Sequence, residues 1–368
     1  MTNPATLVLA DGTIFSGVAI GKEGQTIGEV VFNTAMVAYQ EVLTDPASSG
    51  QLITFTYPHI GNTGVNAADS ESDRVQAAGL IIRDLPFLTS NFRSEERLED
   101  YLKRYGITGI SGIDTRRLTR HIRMNGAQMG CIVTGENPNI TAAIELAKNA
   151  TKQDCTTSGK AETATNYEWQ EGIWHLGKPF QTVGEQPLHV VVLDLGVTKD
   201  SLRHFAENGC RVTVVPSTTS APEIVALKPN GLFLSNGAGD PAAHTAVVAE
   251  IKALTDSQIP LFAVGLGSQL LGLALGGKVT KLAYGRHGMN HPVQDIATGK
   301  VIMTTQNQRY LLLEESLPES VIATHYSLVD QTLQGFRLKN RDIYAFQGYP
   351  EGDATFLFDQ LIDAMWTK

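Results

Sequence analysis

The chain has 368 residues, enough for two or three domains, and its 42% hydrophobic and 18% charged residues suit a soluble globular protein with a large core. A formal net charge of −9 argues against a general nucleic-acid binder, and no apolar run reaches the length of a membrane span. Cys131, Cys155 and Cys210 lack metal-ligand spacing, no signal-peptide pattern opens the sequence, and a reducing cytoplasm is the expected compartment.

The first part reads as β-rich. Residues 6–9 and 13–15 flank Ala10-Asp11-Gly12, a hairpin signal, and residues 28–33 form a further strand. Helices are expected over 95–104 and 114–123. The second carries Arg116, Arg117, Arg120 and Arg123, either a solvated face or a partner surface. Residues 151–187 are polar, with Trp169 and Trp174 as the anchors, and read as a connector between a domain at 1–150 and one at 188–368.

From residue 189 the pattern becomes strand–helix alternation. Strands at 189–195, 211–215, 231–234 and 261–264 alternate with helices at 199–207, 243–254 and 268–275, and a final helix covers 355–366. Short apolar strands between helices indicate a mostly parallel sheet covered on both faces, with ligands bound beyond the carboxyl ends of its strands. The expected class is therefore α/β: a β-rich α/β N-terminal domain and a C-terminal domain whose parallel sheet is flanked by helices.

The turn Gly265-Leu266-Gly267 joins a buried strand to a helix. Enzymes use a sharp turn of this kind to present a nucleophile beside backbone N–H groups that form an oxyanion hole. Here its tip is glycine. An ordinary glycine-rich connection is the alternative, and the third glycine of a dinucleotide fingerprint is missing.

Longer blocks then point to a family. They are Gly28-Glu29-Val30-Val31-Phe32-Asn33-Thr34, Thr44-Asp45-Pro46, Thr56-Tyr57-Pro58-His59-Ile60-Gly61-Asn62 and Gly112-Ile113-Asp114-Thr115-Arg116, followed by Leu234-Ser235-Asn236-Gly237, His287-Gly288, Asn290-His291-Pro292 and Phe346-Gln347-Gly348. Over nearly its whole length the chain resembles the small subunit of glutamine-dependent carbamoyl-phosphate synthetase, with a class I (triad) glutamine amidotransferase domain. The resemblance implies a cysteine that attacks the amide of glutamine, a histidine base oriented by a glutamate, and passage of ammonia to a large subunit. That subunit uses ATP and bicarbonate, and the resemblance places no cofactor or metal on this chain.

Against that pattern the family cysteine falls on Gly265 and the histidine three residues later on Ser268. The triad histidine falls on Tyr349, and only the triad glutamate matches, at Glu351. A glutamine-holding serine falls on Ala47. In the expected loop 306–310 a glycine falls on Arg309 and a phenylalanine on Tyr310, and an oxyanion-loop proline falls on Ala238. Gly237 and Leu266 match oxyanion N–H positions, and Gly239, Gln269 and Asn307 match glutamine contacts, though each also suits loop folding. Arg309 either points to water or charges the old pocket, where it would exclude glutamine or bind an anion.

Amide hydrolysis by this route needs a nucleophile with a base in reach, and a phenol with an ordinary pKa of about 10 is a poor base at neutral pH. The expectation is a subunit that has lost glutamine hydrolysis and acts structurally in ammonia-dependent carbamoyl phosphate synthesis, docked on the large subunit. Two alternatives stand beside it. One is a stand-alone binding or regulatory protein whose pocket takes glutamine, another amino acid or a small anion. The other is an active glutamine-hydrolysing subunit in pyrimidine or arginine biosynthesis.

Overall fold

The computed structural model describes residues 3–150, 162–178, 180–182 and 187–367. It divides into two compact units, Met1–Thr157 with Ala283–Gly288, and Ser158–Leu282 with Met289–Lys368.

The first unit is built on a closed seven-stranded barrel. β1 (Pro4–Leu9) and β2 (Ile14–Gly21) form the expected antiparallel hairpin, its turn held by the Asp11 carboxylate accepting from the Thr13 N–H at 2.8 Å. β3 (Gln25–Asn33), β4 (Gln51–Phe55), β5 (Gly79–Ile81) and β6 (Thr108–Ser111) pair parallel in that order. β7 (Gln128–Thr134) closes the barrel by pairing antiparallel with both β3 and β1. Strand alternation separates two apolar sets. Val30, Leu52, Ile81 and Ile110 pack with Leu118 and Ile122, whereas Val31, Ile53 and Leu80 pack with Tyr39, Leu43 and Leu102.

Helices α1 (Tyr39–Thr44), α2 (Leu98–Tyr105), α3 (Thr115–Asn125) and α4 (Ile140–Asn149) complete this unit. α2 starts three residues later than expected because the Glu95 and Glu96 N–H groups donate to the Val65 carbonyl. α3 starts where its cap dictates, with the Asp114 carboxylate accepting from the Arg117 N–H at 2.8 Å. Arg116, Arg120 and Arg123 are exposed, and the Arg117 guanidinium lies 4.8 Å from the Phe15 ring centre. A loop tethered by Ser90 N–H to Asn62 O (2.9 Å) holds three large apolar side chains in solvent: Phe87 (88% exposed), Leu88 (74%) and Phe92 (81%).

The second unit is a ten-stranded sheet. β9 (Leu188–Asp194), β10 (Cys210–Pro216), β11 (Gly231–Leu234), β12 (Leu261–Val264) and β17 (Ile343–Phe346) form its parallel centre, in the order β17-β12-β11-β9-β10. β13 (Lys278–Asp295), β14 (Val301–Leu313), β15 (Val321–Ser327) and β16 (Leu333–Leu338) extend it beyond β17, with β16 antiparallel to β17 and to β15. Residues 306–310, expected as a loop, therefore lie in strand β14, and residues 287–293 lie in β13. Within the connector expected at 151–187, β8 (Tyr167–Trp169) pairs antiparallel with β10 as an edge strand, and Trp169 packs onto the core. Thr156 to Lys160 lie outside the described residues.

Each central strand feeds both faces. Leu261 and Ala263 join Val191, Leu193, Leu232 and Leu234 against α6 (Ala221–Ala226), α7 (Thr245–Asp256) and α8 (Leu266–Ala274). Phe262 and Val264 join Val190, Val192 and Phe233 on the other face, against α5 (Lys199–Glu207) and α9 (Phe356–Trp366). There the Phe358 ring stands 5.0 Å from Phe205 and 5.9 Å from Phe262, both edge to face. Phe358→Ala removes the hub of this cluster, and a loss of about 3–5 kcal/mol is expected, read as a lower urea midpoint for the unfolding transition.

Candidate functional site

The carboxyl ends of β9, β11, β12 and β17 converge, as open parallel sheets require of a binding crevice. The turn after β9 is fixed by Asp194, whose carboxylate accepts from the Gly196 and Val197 N–H groups, both at 2.9 Å. The loop after β11 is tied to it: the Leu195 N–H donates to Ser235 Oγ at 2.9 Å, and that hydroxyl donates to the Asn236 carbonyl at 2.8 Å. Backbone packs so closely here that a Cβ at Gly237 would stand 1.9 Å from the Leu195 carbonyl oxygen.

After β12 the chain turns at Gly265, with φ 51° and ψ −119°, and enters α8 at Leu266, two residues earlier than expected. That is the backbone of an elbow, held by Gly265 N–H to Phe346 O (3.0 Å) and Gly267 N–H to Ser235 O (3.0 Å). At Gly267 a Cβ would meet the Leu234 carbonyl oxygen at 2.5 Å, so only glycine fits. The N–H of Leu266 lies in the first helical turn, where backbone donors have no intrahelical acceptor, and the Gly237 loop faces the same end.

Tyr349 sits beside the tip of the elbow. A Cβ built on Gly265 comes within 3.6 Å of its ring and within 3.0 Å of Asn236 Cβ. Tyr349 is buried, and its N–H donates to the Thr305 carbonyl at 2.9 Å, which pins it to β14. Glu351 follows, half-buried, at the start of the turn Gly352–Ala354. Asn236 itself is buried, and neither Oδ1 nor Nδ2 of its carboxamide has a hydrogen-bond partner among the described residues.

Other positions serve the scaffold. Ser268, fully buried, donates its hydroxyl to the Gly265 carbonyl at 2.7 Å. Gln269 donates its amide to the Tyr310 carbonyl at 2.8 Å, clamping α8 to β14. Gly239 turns with φ 113° beside Ala238. β14 alternates strictly: Thr304, Gln306 and Gln308 are buried, while Asn307 and Arg309 on the opposite face, with Tyr310 beside them, are half-buried. Arg309 thus belongs to a strand rather than a loop tip. Ala47 lies in the barrel unit, in the buried turn Pro46–Ser48, where the Asp45 carboxylate accepts its N–H at 2.9 Å.

Neither described cysteine offers a replacement nucleophile. Burial pushes the Cys131 thiol up to about 11 and the Cys210 thiol up to about 12, and both are enclosed. Cys155 lies outside the described residues. Among the described residues no group of three or more His, Cys, Asp or Glu could hold a metal ion, and no helix is long and apolar enough to cross a membrane.

Comparison with known proteins gives two family matches. Residues 7–132 match the family described as carbamoyl-phosphate synthase small chain, CPSase domain, and residues 191–364 match glutamine amidotransferase class-I. The chain is 50% identical to a carbamoyl phosphate synthase small chain of Haemophilus ducreyi, across 99% of each chain. It is equally identical to proteins of that name from Pseudomonas syringae pv. tomato (99% of each chain) and Neisseria meningitidis serogroup A (99% of this chain, 98% of the relative).

Maleimide labelling followed by peptide mass spectrometry is expected to leave Cys131 and Cys210 unmodified in the native protein and to modify both once urea unfolds it.

Proposed function

The chain belongs to the carbamoyl-phosphate synthase small-chain family, and on that premise we propose that it is a subunit that no longer hydrolyses glutamine. The observation that carries this reading is the elbow, whose tip is Gly265 and whose neighbour is the Tyr349 ring. A γ-glutamyl enzyme requires a nucleophilic side chain at the tip and a base within hydrogen-bond reach. A hydrogen atom cannot attack, and a phenol holds its proton near neutral pH. Ser268 is committed to the Gly265 carbonyl one turn away. Glu351 alone cannot act, because a catalytic triad works as a unit and losing its nucleophile removes nearly all its rate advantage.

In this reading the chain docks on a large synthase chain that binds ATP and bicarbonate and takes free ammonia. The ordered loop that holds Phe87, Leu88 and Phe92 in water supports a protein partner, since exposed aromatic groups on a tethered loop are typical interface anchors. The pocket keeps a ligand role toward glutamine, another amino acid or a small anion. The unpartnered Asn236 carboxamide supports this, because a ligand amide would supply it with one donor and one acceptor.

The deciding experiment is a glutaminase assay on the purified chain with and without the large chain, alongside synthesis driven by ammonia or by glutamine. Synthesis with ammonia alone is expected, and glutamine-driven synthesis at a comparable rate overturns the reading. Gly265→Cys alone is expected to leave hydrolysis at background, and only Gly265→Cys with Tyr349→His to raise it. Phe87→Ser with Phe92→Ser is expected to weaken binding to the large chain at least about tenfold, measured by calorimetry.

A further inference from the structure

Helix α3 of the first unit buries Thr115, Leu118 and Ile122, the last two against Val30 and Leu52 of the barrel. Its other side faces solvent. At 3.6 residues per turn, Arg116, Arg117, Arg120, Arg123 and Met124 fall within about 120° of one another on that side. All five are exposed, Met124 at 72%. Arg116, Arg120 and Arg123 stand in one row about 10 Å long, with Arg117 and Met124 along its flank. The Arg117 guanidinium lies 4.8 Å from the Phe15 ring centre, so one member of the face is partly engaged and the row of three is not.

None of the three makes an ion pair among the described residues. The acids that bond to α3 are committed elsewhere. Asp114 accepts from the Arg117 N–H at 2.8 Å, and Asp11 Oδ2 lies 2.6 Å from His121 Nε2 and accepts from the Gln128 amide at 3.0 Å. The row also opposes the electrostatics of its own helix. Like charges three and four residues apart repel. Arg116 and Arg117 stand in the first turn, at the positive end of the helix dipole, where α3 has no acidic residue. A face that served solubility alone would be better built with acids in that turn.

We propose that this face of α3 docks an acidic helix of a protein partner, with carboxylates on Arg116, Arg120 and Arg123 and an apolar side chain on Met124. The contact is independent of the elbow and of the docking attributed to Phe87, Leu88 and Phe92. Each part of the partner answers one observation. A guanidinium is a fork that holds a carboxylate bidentately, and a row spaced i, i+4 and i+7 meets acids of the same spacing on a second helix. Arg and Met are both over-represented in protein interfaces. The exposed thioether among the charges selects an apolar neighbour, which a phosphate backbone does not offer. The net charge of −9 repels a long polyanion before contact, whereas a partner helix brings its acids to this row alone.

The test titrates the intact protein into a fluorescein-labelled helical peptide of about 16 residues, read by fluorescence anisotropy. Its glutamates stand at i, i+4 and i+7 with a leucine at i+8, and a control peptide carries the same residues with the glutamates spread around the helix. Expected is saturable binding that weakens as salt is raised, with the control peptide at least about tenfold weaker. Arg120→Glu with Arg123→Glu is expected to lower the affinity at least about tenfold. Arg116→Glu is expected to weaken binding while raising the thermal midpoint, because it relieves a repulsion and suits the helix dipole; a merely solvated face would show only the second effect. No saturable binding by the folded protein, or unchanged binding in the double variant, overturns the docking face. Equal binding of the control peptide overturns the matched spacing, and an oligouridylate of similar length bound as tightly as the peptide overturns the protein partner.

Discussion

The constraint on which the second unit depends is the absence of side-chain volume where α8 meets the end of β11. The Gly267 N–H donates to the Ser235 carbonyl at 3.0 Å, and no Cβ fits at Gly267 or Gly237. Three backbone segments, after β9, β11 and β12, therefore touch directly, and these close contacts constrain the path of the elbow. The φ of 51° at Gly265 follows from that packing and from the bond to Phe346 O, not from any side chain at the tip. Glycine adopts such dihedrals with little strain, whereas another residue would hold them at a cost of about 1–3 kcal/mol. Chemistry at this turn can be lost without loss of the turn.

Packing and catalysis respond to substitution by different rules. Distant packing contributions add approximately, so each is retained for its own sake. Members of a catalytic triad do not add, so once the nucleophile is gone the base contributes almost nothing further. The residues around the elbow divide along that line. Ser268 and Gln269 place their polar atoms on the Gly265 and Tyr310 carbonyls, where they hold α8, its turn and β14 together. Tyr349 is held through its backbone by Thr305, a bond indifferent to the side chain. Polar groups with a folding duty are engaged, and the position beside the tip, Tyr349, is a buried aromatic ring.

What was legible in the sequence was local. The central strands announce themselves as short apolar runs because both faces are buried, as in Leu261–Val264 with its alternating contributions to two clusters. Asp114 marks the start of α3 through a single side-chain bond. The antiparallel extension was hidden because β14 turns Thr304, Gln306 and Gln308 inward, so its period of two is written in burial and not in hydrophobicity. β8 has three residues and takes its identity from β10 alone. Barrel closure rests on β1 pairing with β7 more than a hundred residues away, for which no local pattern exists. Unpaired atoms such as those of Asn236 likewise become visible only when their surroundings are assembled.

The aromatic cluster and the elbow illustrate how one sheet carries two separate environments. β12 and β17 contribute to both. Phe262 and Phe346 turn their rings to the aromatic face, while the residues that follow these strands, Gly265 and Tyr349, form the crevice at the carboxyl end. Strand alternation assigns every second side chain to one face, so the chemistry of the crevice and the packing of the aromatic face can vary independently. Phe346 joins the two: its ring packs in the aromatic cluster and its carbonyl accepts from the Gly265 N–H. A displacement of that strand is shared by both places, whereas a change of side chain in either is not. The identity of the residue at the tip of the elbow therefore places no demand on the aromatic face.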